Sequence, residues 1–130
     1  MIRSILAVIA GFALWTALWL GGQFTLFAAP SRAVEAGRRF DDAMVLAQII
    51  GYSILCSAAA GLCAALIARG SSRAPLILAL ILLAVGVAVE VSAWTLTPVW
   101  YHIVFLALLI PATLIGARLA RVVRHTRVAA

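Results

Sequence analysis

The chain has 130 residues, of which 66% are hydrophobic and 11% charged, against roughly a quarter charged in a soluble domain. That balance excludes an ordinary water-soluble domain, and the length excludes a second domain. A net charge of +6 would indicate nucleic acid in a soluble protein. Here the basic residues sit at the ends of apolar runs, so the expected partner is lipid and not nucleic acid.

Four apolar runs, residues 4–27, 43–68, 74–96 and 99–119, fill almost the whole sequence. A helix crosses the hydrocarbon core with about 20 mostly apolar residues, and each run is long enough. The expected fold class is an all-α integral membrane protein, one domain over residues 1–130. Short links make sequential helices neighbours, which predicts a four-transmembrane-helix up-down-up-down bundle.

The first run follows Met1, Ile2 and Arg3 and continues far beyond the about 7–15 apolar residues of a signal-peptide core. It is therefore expected to remain as a helix. Ala13, Ala17 and Gly21 recur along it every four residues, an interval that brings small residues onto one face and lets helix backbones approach closely. Residues 28–42 read as an outer loop, in which Arg32, Arg38 and Arg39 are balanced by Glu35, Asp41 and Asp42. Either Asp41 or Asp42 suits the N-cap of the second helix.

The second run repeats the small-residue interval at Ser57, Gly61 and Ala65. It also carries Cys56 and Cys63, which share a face but lie too far apart to bridge each other. These read as small packing residues. Gly70 reads as the stop of this helix and Ser72 as a cap for the next. The third run contains Glu90, the sole acidic residue inside any of the four runs. Around Thr97 and Pro98 the chain must reverse within a few residues, forming a tight hairpin with the fourth run. That last run has Pro111 inside it and the small-residue series Ala112, Gly116 and Ala120. A basic tail, residues 120–130, follows. Arg118, Arg121, Arg124 and Arg127 alternate with apolar residues, as in a helix lying on a lipid surface.

Arginine placement predicts the orientation. Arg3, Arg69, Arg73 and the four tail arginines fall on one side, against Arg32, Arg38 and Arg39 on the other. Seven against three puts both termini in the cytoplasm. Trp19, Trp94, Trp100 and Tyr101 then fall near the outer ends of their helices, where amphipathic rings favour the headgroup level. All ten basic residues are Arg, a usage that with the abundant Ala and Leu points to a bacterial inner membrane.

At about 1.5 Å of rise per residue, Gln23, Gln48, Glu90 and His102 all lie within roughly 6–10 Å of the outer helix ends. Tyr52 is one turn below Gln48. If these side chains point inward, they form an outward-facing polar pocket with one carboxylate and one imidazole. An ionisable group at membrane depth is costly and usually faces a partner or a water-filled space.

No CxxC, HExxH, phosphate-binding glycine loop or Ser-His-Asp set is present. The expectation is therefore a non-enzymatic bundle, without metal or cofactor, acting in assembly with its own copies or as a subunit of a membrane complex. The alternative is a small oligomeric transporter or channel using Glu90.

Overall fold

The computed structural model describes residues 2–69 and 73–129, with side chains described to residue 126. The described residues form five helices and no strand: α1 (Ile2–Phe24), α2 (Ala28–Glu35), α3 (Ala43–Ala68), α4 (Arg73–Ser92) and α5 (Val99–Ala129). Four of them, all but α2, are long and apolar enough to cross a membrane. These are the features of a multi-pass membrane protein. The expected helix stop at Gly70 and cap at Ser72 lie outside the described residues.

The closest helix contact joins α3 to α5, the second and fourth spans, while the sequential pair α3 and α4 touches far less. Connection length alone suggested that sequential helices would be the main neighbours. Residue size decides otherwise. A Cβ atom on Gly61 would overlap the carbonyl oxygen of Thr113, and one on Gly116 would overlap that of Ala58. Backbone therefore lies directly on backbone at this crossing. Ser57, Ala65, Ala112 and Ala120, from the two expected small-residue series, are buried beside it. In lipid, such close packing replaces the hydrophobic force that drives helices together in water.

The first helix departs from its expected face. Ala7, Gly11, Trp15 and Gly22 are its buried residues. Ala13, Ala17 and Gly21 are all exposed. Gly11 packs on Leu78, Ala60 and Ala64, and Gly22 packs under the ring of Tyr52. The Trp15 indole N–H donates to Ser57 Oγ at 3.2 Å, and the Tyr52 hydroxyl donates to the Leu18 carbonyl. The large rings of Trp15 and Tyr52 thus select which face of α1 turns inward.

The expected loop over residues 28–42 contains a helix. α1 stops at Phe24, and after a short turn α2 runs from Ala28 to Glu35. Pro30 sits in its first turn, where the missing N–H would have had no helical partner anyway. Gly37, at φ +73°, lets the chain leave α2 in the left-handed region. Asp42 then caps α3, its carboxylate accepting from Met44 N at 3.1 Å and Val45 N at 3.3 Å. At the far end of α3, Arg69 itself adopts a left-handed conformation, φ 50°.

Two further boundaries move. α4 ends at Ser92, four residues early, and residues 93–96 form tight turns. α5 does not end at residue 119 but continues as one helix to Ala129, with Pro111 on an exposed face.

The α3–α5 contact makes a sharp prediction. Gly116→Ala should lower stability by about 1–3 kcal/mol, the usual cost of overpacking, because backbone cannot yield. Gly21→Ala should be neutral, since nothing lies within 4 Å of the added carbon. Thermal denaturation in detergent, followed by circular dichroism, compares the two.

Candidate functional site

The structure brings Glu90 and His102 together at the end of the molecule that carries α2. Glu90 lies on the last turn of α4 and His102 on the first turn of α5. The short α4–α5 connection sets them side by side. Glu90 is 4% exposed and His102 0%, so the two ionisable groups have only each other and nearby polar atoms to replace water. Glu90 Oε2 is hydrogen-bonded to His102 Nδ1. On the other edge of the imidazole, Nε2 is 3.1 Å from the Trp94 carbonyl and 2.9 Å from Thr97 Oγ1. The Trp94 ring stacks on the imidazole at 4.5 Å, with 13° between the planes.

These contacts determine the protonation pattern. A carbonyl oxygen only accepts, so Nε2 carries a hydrogen when it bonds Trp94; without that hydrogen it accepts from the Thr97 hydroxyl instead. A hydrogen bond between Nδ1 and Oε2 also needs a proton between them. With Nε2 protonated, either the imidazolium donates to a carboxylate, or a carboxylic acid donates to the neutral ring. In both of these forms the pair shares one proton and has no net charge. That is how an acid and a base can both be buried at membrane depth without an uncompensated charge.

Beside this pair lies a cavity of about 230 Å³, lined by α1, α2, α3, α4 and α5. Its walls are chiefly apolar and aromatic, including Trp19, Leu46, Ile49, Phe40 and Tyr101, with Glu90 and Thr97 as polar elements. α2 covers it through Pro30, Ser31 and Val34. Leu20, Phe24, Glu35 and Val89 also line it and are exposed, so it reaches the surface between the ends of α1, α2 and α4.

Two bonds hold this cover in place. Ser31 Oγ is 2.5 Å from Gln23 Oε1, fastening α2 to α1. The Phe40 N–H donates to the Leu96 carbonyl at 2.7 Å, tying the segment after α2 to the turn after α4. Arg39 contacts Asp41 at 3.3 Å, but both are exposed, and such pairs contribute little.

The expected five-residue polar pocket is thus only partly assembled. Glu90 and His102 meet, and Gln23 lines the same cavity. Tyr52 is directed to α1, where its hydroxyl meets Leu18, and it stacks with Trp19 at 6.4 Å. Gln48 is a correction: it is exposed. The buried face of α3 is set by Leu46, Ile49, Ile50 and Ser53, and Gln48 falls on the opposite side of that helical repeat. Trp19 and Tyr101 also turn inward, joining Phe105 at 5.4 and 5.9 Å. Trp94 and Trp100 remain at the surface.

The basic tail is corrected at one residue. Arg124 does not face lipid; its guanidinium donates to the Ala65 carbonyl at 2.6 Å and the Leu66 carbonyl at 3.1 Å. These belong to the last turn of α3, whose carbonyls lack helical partners and carry partial negative charge. Arg118 and Arg121 are exposed, and the side chain of Arg127 lies outside those described. Cys56 is buried and Cys63 half-buried, both as free thiols. Among the described residues, no three His, Cys, Asp or Glu side chains converge as a metal site requires.

Sequence reasoning missed Thr97, Trp94 and the cover formed by α2. Thr97 and Trp94 had a usable signal, since both lie within eight residues of His102 across a forced reversal. The short α2 had little signal beyond Pro30 at a favoured first-turn position.

Comparison with protein-family models, with curated proteins and with solved structures finds no match to this chain.

The shared-proton arrangement distinguishes two substitutions. Glu90→Ala leaves a buried ring nitrogen unpaired and should cost about 1–3 kcal/mol. Glu90→Gln keeps a donor for Nδ1 in its amide and should cost less than about 1 kcal/mol. Thermal midpoints in detergent give the order; equal midpoints for both variants would contradict the assignment.

Proposed function

We propose that the chain is a small, non-enzymatic protein of a bacterial inner membrane, acting in assembly with its own copies or as a subunit of a larger membrane complex. In this reading it is an up-down-up-down bundle with both termini in the cytoplasm. The asymmetry of arginines supports the orientation. The sites of Arg69 and Arg124 at one end, with α2 and its mixed charges at the other, agree with it.

The observation that carries the assembly role is the free face of α1. This chain uses small residues at intervals of four to bring α3 and α5 into backbone contact. The same series on α1, Ala13, Ala17 and Gly21, is exposed, with nothing within 4 Å of the Gly21 position. A helix surface of this kind suits close approach by another transmembrane helix. Its neighbours Ile9 and Leu20 are also exposed, so a partner would meet a small-residue groove flanked by aliphatic ridges.

A second reading, a small transporter or channel using Glu90, is favoured by the cavity beside that residue. Against a continuous ion path, the buried residues of α4 below Glu90 are Gly86, Leu82, Ala79 and Leu78. None of these can relay a charge.

Two measurements test the main reading. The detergent-solubilised mass should exceed that of one chain, or a co-purifying membrane partner should be present, and Ala17→Leu should abolish the association. A monomer without partner, unaffected by Ala17→Leu, would refute assembly. For orientation, Cys56 and Cys63 are replaced by Ala and single cysteines are introduced. A membrane-impermeant maleimide applied from outside should label Gly37→Cys and spare Gly70→Cys; the reverse pattern would invert the topology.

A further inference from the structure

From the lining of the cavity we infer that it is a binding site for a small hydrophobic organic cation, of the quaternary-ammonium type, held by Glu90 and aromatic rings. This rests on the second reading, that the cavity takes a ligand, and adds the class of ligand.

The chemistry of the walls decides the class. The lining residues include two carboxylates, Glu90 and Glu35, and no Arg, Lys or His. Every cation that the chain places at this end, including Arg32, Arg38 and Arg39, is absent from the lining. An anion would therefore meet only repulsion. Trp19, Phe40 and Tyr101 line the cavity from α1, the segment before α3, and α5, and aromatic rings attract a cation that has shed its water. An alkylated ammonium suits them better than a metal ion, because the remaining wall is apolar and offers few oxygen ligands. About 230 Å³ lies below the about 300–1,000 Å³ of pockets for drug-sized ligands, which limits the occupant to a small ion.

Glu90 is the charged floor of the site. Its Oε2 is committed to His102, and the carboxyl borders the cavity. The resting pair has no net charge, so a cation gains most when the shared proton leaves. The exchange balances: one cation enters, one proton passes to external water, and Glu90 becomes a full carboxylate against the ligand. His102 then keeps its one hydrogen on Nδ1, toward the carboxylate, and Nε2 accepts from the Thr97 hydroxyl. The other groups that line the cavity with Glu90 include Tyr101 from α5, Glu35 from α2, uncharged Gln23 from α1, and Leu46 and Ile49 from α3. Arg39 on the segment before α3 contacts Asp41 at 3.3 Å and the Thr95 carbonyl at 3.5 Å, and does not line the cavity.

Isothermal titration calorimetry tests this on the full chain in nanodiscs of zwitterionic lipid. The probes are benzyltrimethylammonium and benzylsulfonate, similar in size and opposite in charge. The cation should bind and the sulfonate should not, with affinity rising by up to about tenfold per pH unit as one proton is released. Glu90→Gln, which retains its bond to His102, should weaken cation binding about tenfold or more and remove most of the pH dependence. Equal binding of both probes would overturn the cation assignment while leaving a ligand cavity. Unchanged cation affinity in Glu90→Gln would overturn the role of Glu90. Absence of binding by either probe would overturn the inference together with the ligand-cavity reading beneath it.

Discussion

Contact between α3 and α5 without intervening side chains is the constraint from which the rest of the structure follows. Lipid tails are as apolar as leucine, so burial of leucine gives little drive for helices to leave lipid for one another. Dispersion at short range remains, and it falls off steeply with a gap of even half an ångström. Gly61 and Gly116 remove the atoms that would open such a gap. Once α3 and α5 cross there, Arg124 comes within reach of the unpaired carbonyls of Ala65 and Leu66. The other two spans then fill the sides, α1 on α3 and α4 on α5.

The same crossing leaves a space at the other end. Helices in close contact near their middle diverge towards their ends, and bulky rings occupy the widening gap. Trp19, Tyr52, Tyr101 and Phe105 form a connected aromatic group there. They do not fill it completely, and the remainder is the cavity beneath α2. Glu90 stands at its edge, paired with His102 because the α4–α5 reversal is too short to separate the two. A polar pair in this position has an evident structural effect, since it fastens the two ends of the hairpin. It also gives an otherwise apolar cavity its one buried carboxyl.

Much of this was legible in the sequence, and the residues explain which parts. The four apolar spans follow from length and composition, and residue type and position narrowed the α3 cap to Asp41 or Asp42, of which Asp42 is the one. The α3 and α5 faces were readable because small residues at intervals of four, with a glycine at the centre of each series, let helix backbones approach closely. The face of α1 was not, because two small-residue series compete on it. Ala13, Ala17 and Gly21 match the interval, yet Ala7 and Gly11 flank Trp15, whose indole finds Ser57. Periodicity carries no information about which series meets a ring from another helix. Gln48 failed for a related reason: depth along a helix can be counted from sequence, whereas azimuth depends on the neighbour chosen. Glu90 and His102 succeeded because a reversal of few residues fixes both depth and azimuth.

The two uncommitted features of the molecule differ in chemistry and meet on one helix. The free face of α1 is apolar, small and uncharged. The cavity borders α1 through Trp19 and Gln23, and also through Leu20 and Phe24, which adjoin the face of Ala13 and Ala17. A partner helix packed on the small-residue face would stiffen α1 and so narrow the movements by which the cavity mouth, between Leu20, Phe24 and Val89, admits a ligand. If α1 carries both the proposed association and the proposed ligand mouth, the two would be coupled through one helix.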